Sequence, residues 1–118
     1  MDKNRNILLV FCACPESLTA ERLASGLVER KLAACVNVLP AISSVFYWKG
    51  KLEKEQEVLL LIKTTQQRFE ALRDWLVETH PYENPEVIAL DVAAGTDQYL
   101  DWVASSCDRM NNDDDPDA

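Results

Sequence analysis

Glycine, proline and histidine are scarce in this sequence of 118 residues, which contains three, five and one of them, respectively. So little glycine and proline excludes collagen-like and linker-like chains, and 47% hydrophobic residues are too many for a disordered protein. Basic residues are also few, since 12 lysines and arginines against 20 acidic residues give a net charge of −8. A protein that grips phosphate needs clustered basic side chains, so we expect neither nucleic acid nor an anionic membrane as a partner.

Long apolar runs are absent as well. The longest, from Ile7 to Ala13, falls far short of the ~20 residues that span a membrane, and it has no small-x-small cleavage site of a signal peptide. We therefore interpret it as a buried strand. Four cysteines do not make a disulfide scaffold in a chain long enough to build its own core. The sequence thus predicts a cytoplasmic protein with reduced thiols.

The hydrophobic pattern alternates between stretches typical of strands and stretches with helical spacing. The predicted strands cover about residues 7–11, 33–48, 58–62 and 86–92. The predicted inner faces of the helices are Ala20, Leu23, Ala24, Leu27 and Val28; then Phe69, Leu72 and Leu76 with Trp75 at the margin; then Tyr99, Leu100, Val103, Ala104 and Cys107. Pro40 suits a bend or bulge in its strand, Thr64 or Thr65 an N-cap, and His80 a position just past the last helical turn.

The order β-α-β-β-α-β-α predicts an α+β fold. With right-handed crossovers it gives a ferredoxin-like sandwich, β-α-β-β-α-β, with an extended central hairpin and an added C-terminal helix. We expect one domain over residues 1–110, followed by an acidic, disordered tail over residues 111–118.

The central hairpin, from about Ala34 to Thr64, is longer than the other two strands can cover. Its far end is apolar on both faces from Val45 to Trp48. An exposed apolar ribbon of this kind aggregates unless another surface covers it. The sequence therefore predicts that hairpins pair between subunits of an obligate oligomer, with Trp48 as the main anchor.

Three separated motifs of this sequence resemble the CutA divalent-cation tolerance family. They are Ala33–Pro40, then Ser44–Gly50 followed by Glu57 and Ile62–Thr64, then His80–Glu86. The resemblance covers about Ile7 to Cys107 and implies a tight ferredoxin-like homotrimer, formed through the long hairpins, that serves tolerance of divalent metals, mainly copper. The architecture is also similar to that of the PII signalling proteins, so the alternative function is a trimeric signalling or scaffold module that binds a small ligand or partner protein.

Cys12 and Cys14 are two residues apart on a predicted strand, so both thiols lie on one face. Soft thiolates with a nearby imidazole suit Cu(I) or Zn(II). The resemblance implies that Cys12 and His80 are metal ligands, whereas Thr79 stands where metal-binding members have a first histidine. Alternatively, the two cysteines are small buried hydrophobic residues, and His80 is a helix C-terminal residue or a titrating switch.

A second candidate site consists of Trp48, Lys63, Tyr82, Glu83 and Glu86. The loop over residues 80–86 holds two prolines and several polar groups between two rigid elements, where binding residues tend to lie. If subunits meet at the hairpins, this loop would line a cleft between them, and Lys63 would hold an anion there. The alternative is a structural loop with an ordinary ion pair between Lys63 and Glu86. Because nothing in the sequence activates Lys63 or Tyr82 for acid-base chemistry, we predict no catalytic residue and no enzyme.

Overall fold

The computed structural model describes residues 5–108, so the predicted acidic tail lies outside the described residues. Its elements are β1 (Ile7–Cys14), α1 (Ser17–Glu29), β2 (Cys35–Trp48), β3 (Lys51–Thr65), α2 (Gln66–Thr79), β4 (Ile88–Asp91) and α3 (Asp97–Ser106). The strands form one antiparallel sheet in the order β2-β3-β1-β4. This order confirms the predicted ferredoxin-like α+β fold. In the described part of the chain, no helix combines the length and apolar character that crossing a membrane requires.

The main core lies between one face of the sheet and helices α1 and α2. Alternate residues of the two central strands point into it, so Val10 and Leu60 are completely buried. They pack with Leu23 of α1 and Leu72 of α2 in one cluster. Thr65 is the N-cap of helix α2, as one of the two predicted candidates, and its side chain accepts a hydrogen bond from the amide of the third helical residue at 3.3 Å.

The central hairpin is long because β2 and β3 pair from Cys35 opposite Lys63 to Trp48 opposite Lys51. Between its strands Lys49 and Gly50 have φ angles of 52° and 81°, as a two-residue turn matching the strand twist requires. The register shifts between Leu39 and Ile42, which confirms the predicted irregularity at the intervening proline. The described chain extends 51 Å along its longest axis.

Helix α3 packs at the end of the sheet where β1 begins. Val103 and Cys107 form a second buried cluster there with Ile7 and Ala34. Outside this cluster, Arg5 forms ion pairs with Asp97, at 2.9 Å, and with Asp101 of the same helix. These contacts fix α3 far from the end of β1 at which the candidate site lies.

Two residues predicted for inner helix faces lie outside, and those predictions are wrong. Val28 is 42% exposed near the end of α1, and Tyr99 is 43% exposed on α3. The ring of Tyr99 lies 5.6 Å from that of Trp102 on the outer side of the helix. In both helices the buried stripe is narrower than the run of apolar residues that predicted it.

Gly26 allows α1 to approach α2. A Cβ at this position would lie 2.6 Å from Cη2 and 2.9 Å from Cζ2 of Trp75. Alanine normally favours a helix over glycine by about 1 kcal/mol. Here we expect Gly26→Ala to lower the free energy of unfolding by about 1–3 kcal/mol, because the rigid indole must move. Urea denaturation measures this, with Ser25→Ala on the exposed side of α1 as the control; a Gly26→Ala chain as stable as the parent would contradict the packing.

Candidate metal centre

The end of β1 meets the end of α2 at a cluster of three potential metal donors. The side chains of Cys12 and Cys14 point from β1 toward the main core, because they are two residues apart on a strand. His80 follows the last residue of α2. One donor atom from each of the three residues lies within 4.8 Å of the other two. Both cysteines are 0% exposed and the histidine is 6% exposed.

His80 is held in place by backbone groups on both sides of its ring. Its own amide donates to the carbonyl of Leu76 at 2.8 Å and ends the helix, and Pro81 then keeps the chain extended. The amide of Tyr82 donates to Nδ1 at 3.1 Å, and Nε2 lies 2.9 Å from the carbonyl oxygen of Ala13. Since Nδ1 accepts, the neutral ring carries its proton on Nε2 and donates it to Ala13.

Tyr82 forms one wall of this cluster. Its ring centroid lies 4.8 Å from that of His80, and its hydroxyl donates to Oε2 of Glu57 at 2.7 Å. Glu57 is itself buried, so the bond satisfies a carboxylate that water cannot fully reach. Glu57 and Tyr82 therefore fix the loop that carries the imidazole. Neither was predicted for the metal cluster from the sequence.

A hydrogen bond between the two thiols shifts their pKa values in opposite directions. A hydrogen bond from Cys12, reinforced by the neighbouring imidazole, lowers the pKa of Cys14 to about 6. The same bond, together with burial, raises the pKa of Cys12 well above its usual range. Burial opposes a charge on His80, but the Cys14 sulfur and the Ala13 carbonyl outweigh it and raise the pKa of the imidazole. The cluster thus has one thiolate prepared to accept a cation.

Two sulfur atoms and one imidazole fit a soft or borderline metal such as copper or zinc. The Ala13 carbonyl provides the outer hydrogen bond that commonly orients a ligating histidine and fixes its tautomer. Coordination through Nδ1 would replace the bond from the Tyr82 amide. Thr79, in contrast, is exposed and lines the groove between α1 and α2 together with Leu18.

Of the other predicted site residues, Lys63 and Trp48 lie apart from this cluster within one chain, whereas Glu86 is close enough to act electrostatically on Cys12. Lys63 is about 20 Å along β3 from Glu57, at ~3.3 Å per residue, and its Nζ donates to Oδ1 of Asn37. Trp48 lies at the hairpin tip with its ring partly exposed, and the loop places Glu83 and Glu86 at the surface. Of the five residues predicted to share a cleft, only Tyr82, Glu83 and Glu86 are neighbours in one chain.

Removing the Tyr82 hydroxyl measures how much its hydrogen bond to Glu57 contributes to stability. We expect Tyr82→Phe to lower the free energy of unfolding by about 1–3 kcal/mol, because a buried carboxylate loses its donor. Chemical denaturation measures the change. Ser25→Ala, which removes an exposed hydroxyl from α1, is the control and should cost less than about 0.5 kcal/mol. Equal effects of the two substitutions would show that the Glu57 bond adds no stability.

The fold and this cluster define a class, a small ferredoxin-like protein in which two thiols and an imidazole meet where the first strand ends. A family model described as CutA1 divalent ion tolerance protein matches residues 8–106. The chain therefore belongs to the CutA1 divalent ion tolerance family, as its motifs predicted.

Individual relatives agree with this assignment. Protein CutA homolog of Xenopus laevis is 52% identical over 93 residues, which cover 79% of this chain and 62% of the relative. The structure of CutA from Xylella fastidiosa is similar with a TM-score of 0.85 at 41% identity, covering 87% of this chain and 99% of that one. CutA from Archaeoglobus fulgidus, called a periplasmic divalent cation tolerance protein, gives a TM-score of 0.84 at 35% identity over 86% and 99% of the two chains. The chain spans about three fifths of the length of the vertebrate relatives.

Proposed function

We propose that this protein confers tolerance of metal ions, principally copper, by binding the ion between Cys12, Cys14 and His80. The observation that carries this function is the convergence of two thiols and one imidazole within 4.8 Å at a buried position. The family is described by tolerance of divalent ions and not by a reaction, which supports a binding role over catalysis. Burial of the thiols alone would suit a purely structural role, but the imidazole within reach favours a ligand set.

We also propose that the protein acts as a tight homotrimer. The face of the central strands opposite Val10 and Leu60 carries apolar side chains that belong to neither hydrophobic cluster of the described residues. A single chain leaves this face and the hairpin tip open to water, which is unfavourable for so much contiguous apolar surface. The side chains of the open face are Leu9, Phe11, Leu59, Leu61, Ile88 and Leu90.

The proposed location is the cytoplasm. All four cysteines are free, and thiols persist in a reducing compartment. The description of the Archaeoglobus fulgidus relative as periplasmic makes this a point to test. We expect fractionation of cells of the source organism to place the chain with cytoplasmic markers; recovery with periplasmic markers would contradict the proposed location.

A copper titration against a competing chelator tests the metal function. The unmodified chain is compared with Cys12→Ala and with His80→Gln, since glutamine can keep both hydrogen bonds of the ring but is a poor ligand for copper. Cys107→Ala, which also removes a buried thiol, is the control. We expect both site variants to lose more than about 100-fold in affinity, beyond the usual effect of losing an outer hydrogen-bond partner, and the control to bind normally. Equal binding by all four proteins would refute the site.

One observation keeps the alternative function open. Trp48, Glu83 and Glu86 remain at the surface of a single chain, and a second chain could bring its own Lys63 toward the loop. A cleft of this kind between chains would bind an anionic small ligand or a partner protein, as in the PII proteins that the architecture resembles. A thermal-shift screen separates the two functions: stabilisation by anionic metabolites but not by copper would favour the cleft.

A further inference from the structure

We propose that the site holds copper as Cu(I) and selects it over divalent ions. This inference rests on the proposed metal function and adds the oxidation state. Two of the three donors are sulfur, contributed by Cys12 and Cys14, and the third is the imidazole of His80. Sulfur-rich sites favour Cu(I), whereas Cu(II) prefers four nitrogen or oxygen ligands in a tetragonal arrangement. The donor chemistry therefore matches the reduced ion.

The number of donors leads to the same oxidation state. Among residues 5–108, this is the one group of three or more cysteine, histidine or acidic side chains close enough to share an ion. The nearest buried carboxylate, that of Glu57, already accepts the Tyr82 hydroxyl at 2.7 Å. Zn(II) in proteins almost always has four ligands. Three protein donors such as a Cys2His set hold Zn(II) only with water as the fourth ligand, and Cu(II) prefers a tetragonal set, so Cu(I) is the ion that three donors complete without water.

Water is poorly placed to complete the set for a divalent ion. Cys12 and Cys14 are completely buried and belong to the main hydrophobic cluster with Leu60 and Val58. A bound water needs two to four polar partners, and with Nδ1 on the ion and Nε2 on the Ala13 carbonyl the imidazole offers it none. A buried site with three soft or borderline donors therefore discriminates against ions that retain water.

Cys14 decides this selectivity. Without its sulfur the cluster would keep one thiol and one imidazole. In this pair sulfur no longer outnumbers nitrogen, so the preference for Cu(I) is lost. We therefore expect Cys14→Ala to lose more Cu(I) affinity than Zn(II) affinity. Cys107→Ala should change neither, because its thiol lies in the separate cluster beneath α3.

The test compares three ions on the unmodified chain and on both cysteine variants. Cu(I) is supplied as its bicinchoninate complex under nitrogen, while Cu(II) and Zn(II) are titrated against glycine and a fluorescent zinc chelator. Free thiols are counted after each Cu(II) titration, since two thiols that reduce two Cu(II) ions leave one disulfide, two Cu(I) ions and two protons. Circular dichroism confirms that each variant is folded.

We expect one Cu(I) per chain, bound at least about 100-fold more tightly than Zn(II) or Cu(II), with this preference lost in Cys14→Ala and retained in Cys107→Ala. Zn(II) or Cu(II) binding as tightly as Cu(I) would overturn the inference and leave the proposed metal function standing. Failure of the unmodified chain to bind any of the three ions would overturn the proposed function and the inference together.

Discussion

The double variant Ile88→Lys, Leu90→Lys is expected to remain in solution as single chains of about 13.3 kDa, whereas we expect about three times that mass for the unmodified protein. Both side chains lie on the edge strand β4 and are more than half exposed in one chain. Burying each apolar side chain in an interface contributes about 1.5–3 kcal/mol, and burying an unpaired ammonium in its place is strongly unfavourable. Multi-angle light scattering at micromolar concentration measures the mass.

The matched control for this experiment is Val77→Lys. Val77 is 56% exposed, close to the 55% of Ile88, but it lies on the outer side of α2. The control should keep the full mass, because Val77 points to solvent from α2 and the proposed interface lies on the opposite face of the sheet. If the unmodified protein were itself a single chain, or if the double variant kept its mass, the proposed assembly through the open face would be refuted.

His80→Ala is expected to destabilise the metal-free protein by about 2–4 kcal/mol, a large share of the stability of a small domain. The substitution removes the partners of two backbone groups, the Ala13 carbonyl and the Tyr82 amide. It also leaves a cavity beneath the loop that follows α2. Equilibrium unfolding in guanidinium chloride, in the presence of a chelator, measures the loss.

His80→Gln is the informative partner for this variant. Its amide group can donate to Ala13 and accept from Tyr82, so we expect it to recover more than half of the lost stability. Metal affinity should stay low in both variants. Should His80→Ala unfold at the same denaturant concentration as the parent, the two hydrogen bonds would not stabilise the loop, and the imidazole would be held by other contacts.

Much of the fold follows from hydrophobic periodicity, because the strands and helices bury one side each. Hydrophobic periodicity fails where burial does not follow the pattern of apolar residues. The predicted strand at 58–62 is shorter than β3, which begins at Lys51, since the outer half of β3 carries exposed charges such as Glu53 and Glu55 and no burial pattern. The prediction that Val28 and Tyr99 lie on inner helix faces was wrong because apolar residues are also tolerated at the surface, so an apolar residue in a helix need not be buried.

The candidate site was less predictable than the fold. Strand alternation correctly predicted that Cys12 and Cys14 share a face, but it says nothing of which helix end covers them. The proximity of His80 came from family resemblance, and the structure supplies the atoms that hold its ring. The bond between Tyr82 and Glu57 was not predicted because it joins a loop to a strand 25 residues away, and no local pattern encodes that register.

Anomalous diffraction at the copper absorption edge, from crystals of the copper-loaded protein, tests whether Cys12, Cys14 and His80 hold the ion. We expect one anomalous peak per chain, bonded to Sγ of Cys12, Sγ of Cys14 and a ring nitrogen of His80. The Tyr82 amide should have moved away from that ring if Nδ1 is the ligand. A peak at surface carboxylates instead, with the three side chains unchanged, would contradict the claim that this buried cluster is the metal site.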